Sequence, residues 1–270
     1  GLLPSFLQGR PFDAPTLVIE ERLEGLEASV IAICDGERAI ALPAARDHKR
    51  LCDGDAGPNT GGMGAYSPLP DLDDDAVERV LETVHRPILA ELRRRGTPFR
   101  GFLYAGLMLT ATGPVLLECN VRLGDPEAQA ILPRVAAPIG PLLLAAARGA
   151  LPATAPRRVP VLPGAAVAIV LAAHGYPNDP RRGDPISGIE AAQAGGALVF
   201  HAGTLARPAD PGGWGTSGGR VLAVVGRGPD LEVARGRAEQ AADAITWDGL
   251  QRRRDIGAAP PVRAATGATA

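Results

Sequence analysis

Short hydrophobic runs, separated by polar turns, predict that most of this chain forms strands, and three longer amphipathic segments predict helices. The predicted strands are residues 16–20, 28–34, 39–44, 101–110, 115–122, 165–173, 197–201 and 220–225, and the predicted helices are 73–95, 139–151 and 230–245. The helix at 73–95 begins with three aspartates and ends with three arginines, as the helix dipole favours. Strands and helices in this order predict an α+β fold.

A proline-rich stretch at residues 151–164 divides this pattern into two parts. We therefore predict a first domain at residues 1–150, a linker at 151–164 and a small α+β domain at 165–258. Residues 259–270 consist mostly of alanine, glycine and proline, and we expect a disordered tail there.

The predicted strand at 115–122 contains the first candidate binding residues. Side chains alternate between the two faces of a strand, so Glu118, Asn120 and Arg122 share one face with Leu116. Carboxylate and amide oxygens suit Mg²⁺, and a guanidinium can hold a phosphate oxygen in two hydrogen bonds. The same pattern is also typical of a strand with one solvated face, and spacing alone leaves both interpretations open.

A second candidate lies between residues 47 and 68. Lys49 is the single lysine among the 28 lysine and arginine residues. Either this position needs a compact ammonium group, or the lysine is there by chance. The following segment, 54–68, contains five glycines and two prolines, so we expect no regular structure there. Such a loop can bind an anion through backbone N–H groups, or it can be a flexible linker.

Composition excludes several classes of protein. Acidic and basic residues nearly cancel, with a formal net charge of −2, so a nucleic-acid-binding or anionic-membrane surface is not indicated. Three cysteines without a C-x-x-C spacing predict neither a disulfide framework nor a zinc site. No apolar stretch predicts a membrane span. We expect a cytoplasmic protein.

Taken together, the motifs resemble one family in collinear order. They are I-E-E-R-L-E-G-L-E-A-S from residue 19, D-H-K-R from 47, G-P-N-T-G-G-M-G-A-Y-S-P from 57, G-F-L-Y-A-G-L-M from 101, E-C-N-V-R-L-G-D-P-E from 118, H-G-Y-P from 174, F-H-A-G-T from 200 and G-G-R-V-L from 218. This set resembles the phosphoribosylamine–glycine ligases (glycinamide ribonucleotide synthetases) of the ATP-grasp superfamily. The resemblance implies an ATP-grasp C-terminal lobe, built as an antiparallel sheet with helices, followed by a small α+β domain.

The resemblance also implies a reaction and a set of site residues. The reaction joins glycine to 5-phosphoribosylamine at the expense of ATP through a glycyl phosphate, with Mg²⁺ or Mn²⁺ as cofactor, in purine biosynthesis. The implied residues are Glu118 and Asn120 for the metal; Arg122 and Asp125 for catalysis; Glu20, Glu21, Arg22, Leu23, Glu27, Arg50 and Asn59 for the nucleotide; and Asp47, Lys49, Thr60, Gly61, Gly62, Met63 and Gly64 for the substrates.

The family's phosphosugar-binding domain and ATP lid have no counterpart before residue 16. We therefore expect a C-terminal portion that needs a missing N-terminal segment or a complementing chain. Two other hypotheses stay open: a non-catalytic remnant or interaction domain that keeps part of the nucleotide site, and ATP-grasp chemistry on a different carboxylate and amine.

Overall fold

The computed structural model describes residues 19–207, 210 and 212–258. Its strands, in chain order, are β1 (Leu26–Asp35), β2 (Ala39–Ala41), β3 (Arg46–Asp47), β4 (Arg50–Cys52), β5 (Ala56–Asn59), β6 (Gly64–Ser67), β7 (Arg100–Thr110), β8 (Gly113–Asn120), β9 (Ala165–Ala172), β10 (Pro185–Ile186), β11 (Leu198–His201), β12 (Thr204–Ala206), β13 (Trp214–Thr216) and β14 (Arg220–Gly228). The helices are α1 (Asp74–Val80), α2 (Arg86–Arg94), α3 (Glu127–Ile131), α4 (Ile139–Arg148), α5 (Ile189–Ala194) and α6 (Leu231–Ala244).

An antiparallel sheet in the order β2-β1-β7-β8 forms the first layer. Its second strand, β1, is buried on both faces because alternate side chains enter different cores. Val30 and Ala32 pack in the core that holds α1, whereas Ile31 and Ile33 pack in the core beside α4. This order places β8 at one edge of the layer, next to β7.

The helix predicted at residues 73–95 is present as α1 and α2, which a five-residue π-helical turn at Leu81–His85 joins. It begins where the sequence indicates, because the carboxylate of Asp73 accepts a hydrogen bond of 2.7 Å from the backbone N–H of Ala76. The strands predicted at 28–34, 101–110, 165–173, 197–201 and 220–225 are likewise confirmed. Of the strand predicted at 16–20, residues 16–18 lie outside the described residues, and residues 19 and 20 belong to no strand.

The expectation of irregular structure at 54–68 was wrong. This segment contains β5 and β6, and β6 pairs with β9 through Gly64, Ala65, Tyr66 and Ser67. Glycine-rich composition predicts poor intrinsic strand propensity, but pairing with a fully buried neighbouring strand outweighs that preference.

A second antiparallel sheet, in the order β11-β14-β9-β6-β3, continues across the predicted domain boundary. Strands β3 and β6 come from the first predicted domain, and the other three from the second. The stretch 151–164 also packs against the first layer, since the Val159 N–H donates to the Ala41 carbonyl at 2.9 Å and Leu151 is buried. The division into domains stays a prediction, and the tail at 259–270 lies outside the described residues.

Helix α6 covers β14 and β9 through alanines at helical spacing, among them Ala234, Ala238 and Ala242. Across residues 19–207, 210 and 212–258, every helix is too short or too polar to cross a bilayer.

Candidate functional site

Eight of the predicted site residues surround one cavity of about 200 Å³ between the two layers. They are Asp47, Lys49, Thr60, Gly61, Glu118, Asn120, Arg122 and Asp125. Tyr104, Gly124 and Glu127 complete the lining. The structure thus brings together residues from both ends of the first predicted domain.

The two predicted metal ligands lie on β8, opposite β7. Glu118 pairs with Gly106, and Asn120 pairs with Tyr104, so both side chains project from the same face, as predicted. The register then shifts, because Leu107 pairs with Leu116 and leaves Leu117 as an extra, bulged residue. The predicted alternation was therefore wrong at Leu116, which the bulge moves to the opposite face.

The donor set at Glu118 and Asn120 fits Mg²⁺. The Asn120 amide donates through Nδ2 to Glu118 Oε1 at 3.3 Å, which leaves the amide oxygen free to coordinate. Among the described residues no cluster of three or more His, Cys, Asp or Glu side chains could hold a metal. A carboxylate and an amide oxygen are a sufficient set for Mg²⁺ bound mainly by water and nucleotide phosphates.

Charges of both signs meet at the floor of the cavity. Lys49 Nζ lies 2.7 Å from Glu27 Oε2. Although burial lowers the pKa of Lys49, the hydrogen bond that Lys49 donates to Glu27 and the charge of Asp47 raise this pKa above its usual range. Burial, followed by the charge of Glu127, raises the pKa of Asp47 to about 7. The cavity therefore holds a cation that stays charged and a carboxyl group that can exchange a proton near neutral pH.

A buried network that the sequence interpretation missed supports this floor. Glu127 is 3% exposed, and its Oε1 accepts hydrogen bonds from Tyr104 OH at 2.9 Å and Ser29 Oγ at 3.1 Å. Burial, with the charge of Glu127, raises the pKa of Tyr104 above its usual range. Glu127 ends the D-P-E motif, but it reads as an ordinary residue in the first turn of a helix. Only the fold brings it to Ser29, 98 positions away.

Only part of the run from Thr60 to Gly64, predicted to contact the substrates, lines the cavity. Thr60 and Gly61 line the cavity, but Gly62, Met63 and Gly64 are buried and do not. Met63 is completely inaccessible, and its backbone bonds to His48 and Val170. Gly62 has a φ of 111°, and a Cβ at this position would lie 2.5 Å from Pro126 Cδ. These three residues therefore fix the course of the backbone, while Thr60 and Gly61 face the cavity.

Two further residues missed at the sequence level come from the second predicted domain. Arg220 donates through Nη1 to the carbonyls of Gly61 and Asp125, both at 2.6 Å. The Tyr176 hydroxyl accepts the Gly61 N–H at 2.9 Å. Both residues belong to motifs that carry the family resemblance, G-G-R-V-L and H-G-Y-P, which was the available signal. Residues of the second predicted domain thus hold the rim of the cavity in place.

The remaining predicted residues lie outside the cavity lining. Arg50 and Asn59 pair across the hairpin of β4 and β5, and both are exposed. Glu20, Glu21 and Arg22 are exposed residues before β1, and Leu23 is half-buried. Glu27 is outside the lining but pairs with the lining residue Lys49. Their assignment to the nucleotide stays a prediction.

Two protein-family models match this chain. The family model of the phosphoribosylglycinamide synthetase ATP-grasp (A) domain matches residues 3–128, and the family model of the C domain of the same synthetase matches residues 166–259. The chain belongs to the phosphoribosylglycinamide synthetase family. The matched C domain begins at β9, which supplies the central strand of the second sheet.

Individual synthetases support this assignment. The chain is 49% identical over 245 residues to the phosphoribosylamine–glycine ligase of Streptomyces coelicolor, which covers 90% of this chain and 58% of the relative. It is 47% identical over 244 residues to that of Leifsonia xyli, with 90% and 58% covered. The crystal structure of the ligase of Thermotoga maritima superimposes with a TM-score of 0.74 at 38% identity, covering 87% of this chain and 56% of that one. This chain therefore spans somewhat more than half the length of these synthetases.

Proposed function

We propose that this chain provides the metal- and phosphate-binding half of a phosphoribosylamine–glycine ligase, which joins glycine to 5-phosphoribosylamine and converts ATP to ADP and phosphate. The observation that carries the proposal is the cavity that gathers Glu118, Asn120, Lys49 and Arg122. Two oxygen donors beside two cations suit a nucleotide polyphosphate with its metal ion.

Glu118 and Asn120 would hold Mg²⁺ or Mn²⁺, which neutralises charge on the ATP phosphates when bound. Lys49 and Arg122 supply the remaining positive charge, and Arg122 can hold a phosphate oxygen with a planar pair of donors. Asp125, fixed by Arg220, places a carboxylate at the rim, where a substrate amine can donate to it. These residues orient and neutralise the reactants, which is the protein's main contribution in phosphoryl transfer.

Glycine's carboxylate attacks the γ-phosphorus of ATP, and ADP leaves. The sugar amine then attacks the glycyl carbonyl carbon, phosphate leaves, and the amine loses a proton. Asp47 lies in the same cavity with a pKa of about 7, so it is suited to accept that proton.

The rest of the ligase would come from a further segment, on the same polypeptide or on another chain. Exposed apolar side chains along the edge strand that carries Glu118 and Asn120, and just after it, support this, since Leu116, Leu117 and Val121 are 40%, 41% and 71% exposed. Such a patch on one edge of a sheet suits a covering lobe from a missing N-terminal segment or a complementing chain.

The test is a complementation assay. This chain is mixed with a separately expressed N-terminal portion of the Streptomyces coelicolor ligase, and ADP release is followed with glycine and 5-phosphoribosylamine. We expect turnover only when both pieces and both substrates are present, and none with Glu118→Gln. Binding of the two pieces without turnover would contradict the proposed activity and favour a non-catalytic interaction domain.

A further inference from the structure

A second and larger cavity, of about 470 Å³, lies at the other end of the second sheet. We name it the arginine cavity, after Arg134, Arg227 and Arg237 in its lining. It includes Ala165, where β9 begins, and Gly228, where β14 ends. Strand β14 has nine residues, so Arg220 at its first position and the arginine cavity at its last are about 26 Å apart. The two cavities are therefore separate sites.

The charged residues that line the arginine cavity in the described part of the chain are all positive. Among the described residues, its lining contains three arginines and no acidic residue. No carboxylate of the described residues lies within 4 Å of these three guanidinium groups. Asp230 follows the lining residue Pro229, but its carboxylate caps helix α6 by accepting the N–H of Val233 at 2.8 Å. The positive charge is thus not neutralised locally.

Arg134 stands out among the buried arginines of the described residues. Arg46 is buried with Asp71 at 2.7 Å, and Arg253 is buried between Asp55 and Asp255 at 2.7 and 2.6 Å. Arg134 is only 9% exposed, yet it donates only to neutral acceptors, the Gly164 carbonyl at 3.2 Å and Ser67 Oγ at 2.6 Å.

Buried charges in proteins are normally paired, because burial without a counter-charge is costly. The pairs raise the pKa of Arg46 and Arg253 against the opposing effect of burial, whereas burial lowers the pKa of Arg134 and the distant charge of Asp74 offsets this only in part. Asp74 itself forms an ion pair with Arg158. Among the described residues, Arg134 therefore has only neutral hydrogen-bond partners.

The size of the cavity and its arginines narrow the class of ligand. A volume of about 470 Å³ accommodates a small metabolite. Nη2 of Arg134 has no acceptor among the described residues, and Arg227 and Arg237 are exposed at the rim. Guanidinium groups bind phosphate oxygens with paired, charge-assisted hydrogen bonds. We propose that the arginine cavity binds a small phosphorylated molecule, with a phosphate group against Arg134 and the rim arginines. This inference does not depend on the proposed ligase activity.

The test is calorimetric titration of pyrophosphate, inorganic phosphate and ADP into the full chain with EDTA present. The double variant Arg227→Gln/Arg237→Gln removes both exposed rim charges and keeps Arg134, so we expect it to fold. We expect it to bind pyrophosphate about ten-fold more weakly, equivalent to about 1.4 kcal/mol. Arg182→Gln, an exposed arginine outside the cavity, is the matched control and should leave affinity unchanged.

Arg122→Gln, in the other cavity, locates the binding. If this variant keeps its pyrophosphate affinity and the double variant loses it, pyrophosphate binds in the arginine cavity. Tighter binding of ADP than of pyrophosphate would identify a nucleotide, and equal binding would identify the phosphate group alone; both support the site. No binding of any probe, equal binding by the double variant, or loss only in Arg122→Gln would overturn the proposal.

Discussion

Arg220 and Asp125 form an ion pair in which Nη2 and Oδ2 are 3.0 Å apart, although 95 positions separate them in the sequence. The pair joins the second sheet to the turn that follows β8. Because the same guanidinium also holds the Gly61 carbonyl, one side chain fixes both rims of the candidate site. The site is therefore incomplete without the second predicted domain.

Replacing Arg220 should loosen the site more than the fold. Arg220→Met removes three hydrogen bonds to the rim, each charge-assisted, and we expect a loss of about 2 kcal/mol in unfolding free energy. Nucleotide affinity should fall about ten-fold, because the rim is no longer fixed. Urea unfolding and calorimetry measure the two effects. Arg182→Met is the matched control, and an equal effect in that variant would contradict the assigned role.

Gly124 tests the buried network beneath the cavity. Its φ is not positive, but a Cβ would lie 2.5 Å from the carboxylate of Glu127. Gly124→Ala should therefore displace Glu127 from Tyr104 and Ser29 and destabilise the protein by about 1 to 3 kcal/mol.

Gly236→Ala is the matched control for that substitution. Gly236 lies within helix α6 with open space around its Cβ position, so alanine there should stabilise by up to about 1 kcal/mol. Thermal unfolding should therefore give a lower midpoint temperature for Gly124→Ala and a higher one for Gly236→Ala than for the parent chain. A neutral Gly124→Ala would show that Glu127 is not held rigidly.

Asp47 should make stability depend on pH. Its pKa is about 7 in the folded chain against an ordinary value of 3.8, so the folded state binds more protons between these values. The contribution of Asp47 to the free energy of unfolding is therefore fully present below about pH 4, and it is lost as the pH rises through about 7. Asp47→Asn should therefore stabilise the metal-free chain at pH 8, on the order of 2 kcal/mol after allowance for screening.

Urea unfolding at pH 5 and pH 8 measures this effect. The gain from Asp47→Asn should be larger at pH 8 than at pH 5. Asp179→Asn, at an exposed aspartate, should change neither value. A variant that is less stable than the parent at pH 8 would contradict the raised pKa.

The sequence predicted the elements better than the contacts between them. Apolar runs such as 101–110 and 165–173 became strands because hydrophobic pattern determines burial, and Asp73 marked a helix start through its capping geometry. The shared face of Glu118 and Asn120 was predictable because both residues lie on one strand, two positions apart. Local spacing is sufficient in each of these cases.

The residues that were missed depend on pairing over long distances. Nothing near Arg220 in the sequence indicates Asp125, and nothing near Glu127 indicates Ser29. The bulge at Leu117 and the strand at residues 64–67 likewise follow from pairing with β7 and β9, which local propensity does not encode. Gly62, Met63 and Gly64 are buried and outside the cavity lining, and their assignment to the substrates stays a prediction.

The central claim is that the cavity around Glu118 and Asn120 binds a nucleotide through its metal ion. The most direct measurement is calorimetric titration of Mg·ATP into this chain and into Glu118→Gln, with and without the complementing N-terminal portion. We predict binding by the parent chain that the N-terminal portion strengthens, and at least about ten-fold weaker binding by Glu118→Gln. Equal Mg·ATP affinity in the parent chain and Glu118→Gln, with both folded, would contradict the claim.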